Sequence, residues 1–199
     1  MENYIVLNGI TYDLVERTQS TQPEKKDTKL SEISVGELCK LGAYDLIVLE
    51  QSSDTTAVIL KDLLIEKKQF GQNNNYDGSY VDEECRKFAG EIAAIVGEDN
   101  LVEHTIDLTS DDGLKNYGKI RRKASLMTTE LYRRYVYILD KHSVKKWWWL
   151  ATPWSTPTHN DSTLAKCVSP DGRINGINCD YDSGVRPFCI LKSHIFVSR

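Results

Sequence analysis

No stretch of this 199-residue chain approaches the roughly 18 apolar residues that a membrane-spanning helix needs. Met1-Glu2-Asn3-Tyr4 puts no basic segment ahead of Ile5-Val6-Leu7, and Asn8-Gly9 breaks that run at once, so no secretory leader is expected. An excess of one charge is missing too: 25 Lys and Arg stand against 29 Asp and Glu, a formal net charge of -4. That balance gives no global attraction to nucleic acid or an anionic membrane, and binding either would need a local patch. The basic run Lys119-Ile120-Arg121-Arg122-Lys123, with Arg133, Arg134, Lys145 and Lys146, is interleaved with acidic neighbours and reads as a solvated face.

Motifs that carry chemistry are equally scarce. There is no GxSxG, P-loop or HExxH. His104, His142, His159 and His194 are scattered, which argues against zinc. Asp180-Tyr181-Asp182-Ser183-Gly184 matches only part of a calcium loop and lacks its third ligand and distal Glu. The five cysteines (Cys39, Cys85, Cys167, Cys179, Cys189) are odd in number and form no CxxC. They read as reduced, mostly buried thiols, with a Cys179–Cys189 bridge as the exception. The expectation is therefore no enzymatic activity, no metal, no cofactor and no membrane partner, with nucleic acid disfavoured.

What is present is an ordinary globular composition, 40% apolar and 27% charged, with enough length for one domain and a small appendage. Residues 4–7 and 10–15 are β-prone runs around Asn8-Gly9, a pair suited to the positive φ of a type I′ turn, so residues 1–16 are expected to form a β-hairpin. Residues 17–31 read as a polar linker, and 32–199 as the main domain. Within it, 44–50 and 55–64 are strand-like, and the unbroken Leu46-Ile47-Val48-Leu49 calls for cover on both faces. Residues 67–78 read as a loop. A helix follows, capped by Ser79 and stopped by Gly97, with Val81, Cys85, Phe88, Ile92 and Ile95 along one face. Residues 98–125 read as a loop-rich excursion. Thr128 caps a second helix to about residue 141, with Leu131, Tyr135, Ile138 and Leu139 inward.

All four tryptophans fall in Trp147-Trp148-Trp149-Leu150-Ala151-Thr152-Pro153-Trp154. On a strand the first three alternate faces, so they cannot all point one way. Behind them, residues 155–163 are rich in Ser, Thr, Pro, His, Asn and Asp. Short strands and turns complete the chain, including Pro170-Asp171-Gly172 and Gly184-Val185-Arg186-Pro187. Trp154, beyond Pro153 and beside Thr156, His159, Asn160 and Asp161, either stacks on a ligand or packs on the frame. Asn175, Asn178, Asp180, Tyr181 and Asp182 supply the planar donors and acceptors that hydroxyl-rich ligands need, and they also favour turns. Arg186 reads as a semi-buried clamp on a carboxylate or on loop carbonyls.

Leu41-Gly42-Ala43-Tyr44, Trp148-Trp149-Leu150-Ala151-Thr152-Pro153, Asp171-Gly172 and Gly184-Val185-Arg186-Pro187 together resemble a domain-of-unknown-function family known mostly from Firmicutes and their phages. Its signature is similar to that of C-type-lectin-like and sulfatase-modifying-factor-like domains, and the resemblance spans roughly residues 30–198. Ala151-Thr152 stands where that family usually has Arg-Ser. The resemblance implies an α+β fold, a C-type-lectin-like mixed sheet with two main helices after the N-terminal hairpin. It makes Trp148, Trp149, Pro153, Gly184, Arg186 and Pro187 signature residues of the fold. Lectin calcium motifs (Glu-Pro-Asn, Trp-Asn-Asp) are absent. The function implied is a non-enzymatic, phage- or mobile-element-encoded binding module that recognises a glycan or protein through loops 154–163 and 175–183. Two alternatives stand beside it. One is a small intracellular phage factor that inhibits a host or defence protein; the other is a cysteine-dependent oxidase using Cys179 and Cys189. The location expected is the bacterial host cytosol, or the virion for a structural component.

Overall fold

Successive side chains of a strand point to opposite faces, so a strand that is apolar throughout must be covered twice. Leu46 and Val48 are buried in one cluster with Phe88 and Ile92, whereas Ile47 and Leu49 are buried in another with Tyr135, Leu139 and Trp148. The double cover expected from the sequence is therefore present.

The computed structural model describes residues 4–8, 10–13 and 27–199. Its first strands are β1 (Tyr4–Leu7), β2 (Ile10–Asp13), β3 (Thr28–Lys29), β4 (Leu38–Leu41), β5 (Tyr44–Gln51), β6 (Thr55–Leu60) and β7 (Ile65–Gln69). After helix α1 (Tyr80–Val96) come β8 (Leu101–Val102), β9 (His104–Asp107), β10 (Lys119–Arg122) and β11 (Ala124–Ser125). Helix α2 (Thr129–Lys141) precedes β12 (Trp148–Pro153), β13 (Leu164–Val168), β14 (Ile174–Asn178), β15 (Asp182–Val185), β16 (Phe188–Lys192) and β17 (Phe196–Val197). One sheet runs β11-β16-β6-β5-β4 with β8 also on β16, and a second runs β14-β13-β12-β15-β7. These two large sheets, three two-stranded pairs (β1-β2, β9-β10 and β3-β17) and two helices make the α+β fold expected. The sheets are antiparallel except where β12 meets β15 in parallel at Trp148 and Gly184.

Both helix starts follow the sequence. Ser79 accepts from the Asp82 N–H at 3.2 Å and Thr128 from the Leu131 N–H at 3.2 Å, satisfying N–H groups that the helix leaves unpaired. Helix α1 puts Val81 and Cys85 into one core cluster and Phe88 and Ile92 into another. Ile95 departs from the expected stripe: it is 46% exposed, because the buried face turns toward Ala89, Ala93 and Val96.

Three other expectations need correction. The linker placed at 17–31 ends earlier, since β3 and the turn Leu30–Glu32 belong to the packed chain and Leu30 is fully buried; residues 17–26 lie outside the described residues. The loop expected from residue 67 starts after Gln69, because β7 pairs with β15. The 98–125 excursion contains four short strands, and the basic run is β10 itself, paired with β9. Its side chains meet carboxylates: Lys119 with Asp107, Arg121 with Glu103, Arg122 with Asp82 and Lys123 with Glu98. At the N-terminus, Leu7 pairs with Ile10 across Asn8-Gly9, and Asn8 has φ +53°, as an Asn-Gly hairpin requires.

Strand β12 divides the tryptophans. Trp148 enters the cluster under α2 and Trp149 the cluster with Phe70, Tyr76 and Cys85, where its indole N–H donates to the Lys68 carbonyl at 2.8 Å. Trp147 stays partly exposed. The parallel β12–β15 contact is close: a Cβ on Gly184 would lie 2.8 Å from the Trp147 carbonyl oxygen and 2.5 Å from Leu63 Cδ1. Gly184→Ala is expected to cost about 2 kcal/mol through overpacking, read as a lower urea midpoint. An unchanged midpoint would mean that the two strands can part freely.

Candidate functional site

The loop between β7 and α1 is built from polar residues that turn inward as well as outward. Asn74 is fully buried: its side-chain amide donates to the carbonyls of Ser155 (3.0 Å) and Leu164 (2.8 Å), and its Oδ1 accepts from the Tyr117 hydroxyl (2.8 Å). Its backbone N–H donates to the Ser162 carbonyl. Tyr76, also buried, accepts from the Leu126 N–H at 3.1 Å. Asp82 accepts from the Gly78 N–H and is gripped by Arg122 through Nε and Nη2 at 2.8 Å each. Those carboxylate bonds hold the Arg122 guanidinium above its usual pKa.

With the loop pinned in this way, its other side chains form one wall of a cleft of ≈ 390 Å³. Gln69, Gly71, Gln72 and Tyr80 face Thr163, Asn178, Cys179 and Asp180. The walls are tied together beneath it. Phe70 N–H donates to the Cys179 carbonyl, Cys179 N–H to the Thr163 carbonyl, and Gln69 Nε2 to the Asp180 carbonyl at 2.7 Å. A second hollow of ≈ 260 Å³ shares Gln72 and Tyr80 and continues along Asn73, Asn75 and Asp77. The result is a groove rich in amides, with a tyrosine and carboxylates, whose shape is set by hydrogen bonds within and beneath its walls.

The expected site residues divide between this cleft and other places. Asn178 and Asp180 line it, with Tyr181 (59% exposed) and Asp182 on the adjoining turn. Trp154 sits elsewhere, with its indole over Gly176, where a Cβ would meet Cε3 at 2.6 Å, and over the Lys166 ammonium at 4.3 Å from the ring centroid. Lys166 is buried and paired with Asp111 at 3.0 Å. One face of Trp154 is thus packing, and 42% of the residue remains exposed. His159 Nδ1 lies 2.9 Å from Asp112 Oδ2, and Asn160 turns out at φ +55°. Hydrogen bonds from Ser110, Ser155 and His159 hold the Asp112 carboxyl well below the usual range. Asp161 accepts from the N–H and hydroxyl of Thr163, so it shapes the loop.

Two site residues are corrected. Thr156 is fully buried and donates to Asn116 Oδ1 at 2.8 Å, so it has no free surface. Asn175 lies on the opposite face of β14 from Gly176 and donates to the Ser169 hydroxyl at 3.2 Å, away from the cleft. Gln69, Gln72, Asn73, Asn75, Asp77 and Tyr80 had no place in the sequence-based site. Their one signal was Asn73-Asn74-Asn75 between Gly71 and Gly78.

The signature residues are structural. Pro153 is buried at the end of β12, and the Pro187 carbonyl accepts from Leu60 N–H. Arg186 donates to the carbonyls of Leu60 (2.8 Å), Lys61 (2.9 Å) and His142 (3.4 Å) with its guanidinium over the Trp148 ring. Burial lowers it to about 10, so it stays charged at neutral pH. All five cysteines are free and buried. Cys179 and Cys189 belong to different core clusters, so the bridge between them is absent, and burial pushes both thiols up to about 12. Among the described residues no group of three or more His, Cys, Asp or Glu could hold a metal ion, and no helix is long and apolar enough to cross a membrane.

Fold and cleft together define an α+β domain with a preformed polar groove. Within it, residues 102–193 match a family model described as a domain of unknown function (DUF6273). That match takes in Trp154 and the Asn178–Asp180 wall but not the Gln69–Tyr80 wall. No curated protein and no solved structure matches the chain.

Proposed function

We propose that this domain is a binding module that takes a glycan in the groove between the 69–80 loop and the 178–180 turn. The observation that carries the reading is the groove itself. Gln69, Gln72 and Asn178 offer both donors and acceptors, Asp180 offers acceptors, and Tyr80 offers a ring on which a sugar face can rest. A site whose loop is already anchored by Asn74, Tyr76 and Asp82 loses little ordering entropy when a polar ligand arrives. The same reading takes the Trp-rich strand and Gly184-Val185-Arg186-Pro187 as the frame of a lectin-like fold. A protein partner is the second reading, favoured by the protruding Tyr181 beside the groove.

A glycan array followed by titration of its best hit tests the proposal. Gln72→Ala with Asp180→Ala is expected to weaken that hit about tenfold or more, since each removes hydrogen bonds worth roughly 1 kcal/mol. Trp154→Ala is expected to leave it nearly unchanged. Full retention by the double variant, or an array without hits beside a protein captured through Tyr181, would sink the glycan assignment.

A further inference from the structure

A separate hollow, sharing no residue with the groove, lies between the first sheet and α2. Strand β5 carries a bulge between Val48 and Glu50, and the shift places Glu50 opposite Ala57, which is itself opposite Ile190 on β16. The bulge turns a carboxylate toward the face that α2 covers, while the small Ala57 leaves the middle of that row empty. The hollow measures ≈ 210 Å³. Ala57, Phe188 and Ile190 form its floor, Leu131 and Tyr135 come from the helix, and His104 and Thr105 close the far side.

Two charges of opposite sign stand at its edge. Glu50 accepts a hydrogen bond from the Tyr135 hydroxyl, which fixes its carboxylate. Arg134 also lines the hollow, and its described ion pair is a long one of 3.5 Å to Glu130, one helical turn back. Among the described residues, Glu50 and Arg134 do not come within ion-pair distance of each other, although Arg134 feels the Glu50 charge at longer range and through Tyr135. Burial lowers His104 to about 4, which leaves its ring uncharged at neutral pH and adds no third charge.

A small apolar body flanked by one anionic and one cationic group is the complement of a free amino acid. We propose that the hollow between β5, β6, β16 and α2 binds a small apolar α-amino acid such as leucine. The ammonium lies on Glu50, the carboxylate on Arg134, and the side chain over Ala57 and Ile190 against Leu131 and Phe188. The pairing of each ligand charge with a fixed partner supplies the orientation, and the apolar floor supplies selection against glycine. This site is independent of the glycan groove, and neither assignment depends on the other.

The test is calorimetric titration of the whole chain with L-leucine, glycine, leucine methyl ester and N-acetyl-leucine, alongside Arg134→Gln and Ala57→Leu variants. Leucine is expected to bind, glycine far more weakly. Blocking either ligand charge is expected to lower affinity about tenfold or more, as is Arg134→Gln, in which a charge-assisted bond is lost. Arg134 is exposed, so that variant keeps the fold, which a thermal melt verifies. Ala57→Leu fills the hollow and is expected to abolish binding; if it unfolds, Arg134→Gln and the two blocked ligands still decide. Absence of binding by leucine at tens of millimolar, or equal binding by wild type, Arg134→Gln and N-acetyl-leucine, overturns the proposal.

Discussion

Arg186→Ala is expected to lower the stability of the domain by about 4 kcal/mol, a large part of the ~5–15 kcal/mol that holds a domain of this kind together. The guanidinium is almost fully buried, and it is the donor to the Leu60 and Lys61 carbonyls where β6 ends and the chain turns toward β7. Alanine leaves those acceptors dry and unpaired, at about 1–3 kcal/mol each, and opens a void beside Trp148. Arg186→Lys should recover only part of the loss, because an ammonium lacks the planar fork that spans two carbonyls and lies flat on an indole. Urea unfolding of the three proteins measures the effect. A midpoint change equivalent to less than 1 kcal/mol for the alanine variant would show that water takes over the carbonyls.

Acidification from pH 6.5 to pH 4 is expected to remove about 3 kcal/mol of stability through one residue, His104. Its Nε2 lies 2.9 Å from the Ser125 hydroxyl and its ring meets Phe188 edge-on, while Nδ1 is buried without a hydrogen-bond partner. Desolvation by burial lowers its pKa from 6.5 to about 4. The sign follows from which state takes up the proton. Above pH 6.5 neither does and nothing is lost; between 6.5 and 4 the unfolded chain is protonated and the folded one resists, so stability falls with pH; below 4 both are protonated. Asp107, lowered to about 2 by Thr109 and Lys119, contributes its own loss only at lower pH. Urea midpoints across that window for wild type and His104→Asn separate the contributions. An equally steep fall in the variant would place the proton elsewhere.

The parts of the fold legible in the sequence were those with strong local signals. The Ser79 and Thr128 caps, the Asn8-Gly9 turn and the doubly apolar Leu46 to Leu49 each act through neighbours within a few residues. Strand β7 was hidden because Glu66, Lys67, Lys68 and Gln69 suit an edge strand and a loop equally well. The groove was half legible. Asn178 and Asp180 stood out in a polar turn, but Gln72 and Tyr80 join them only because β7 docks against β15, a pairing between segments far apart in sequence. Trp154 was read as an open choice between ligand and frame, and Gly176 decides for the frame on one face, since only a glycine lets the indole lie so close.

The pairing pattern also bears on how much chain is required for a stable unit. In the first sheet β16 is stitched to β6 from Phe188↔Ile59 to Lys192↔Thr55, and in the second β15 is stitched to β7. The 102–193 segment that matches the family model therefore carries β11 and β16 of the first sheet and four of the five strands of the second, and leaves β4, β5, β6 and β7, with α1, outside. Expressed alone, that segment would present two raw strand edges and the uncovered flank of Trp149, and it should aggregate rather than fold. Supplied in trans with residues 27–100, it should recover solubility by strand complementation, because the missing edges are the ones the other fragment brings.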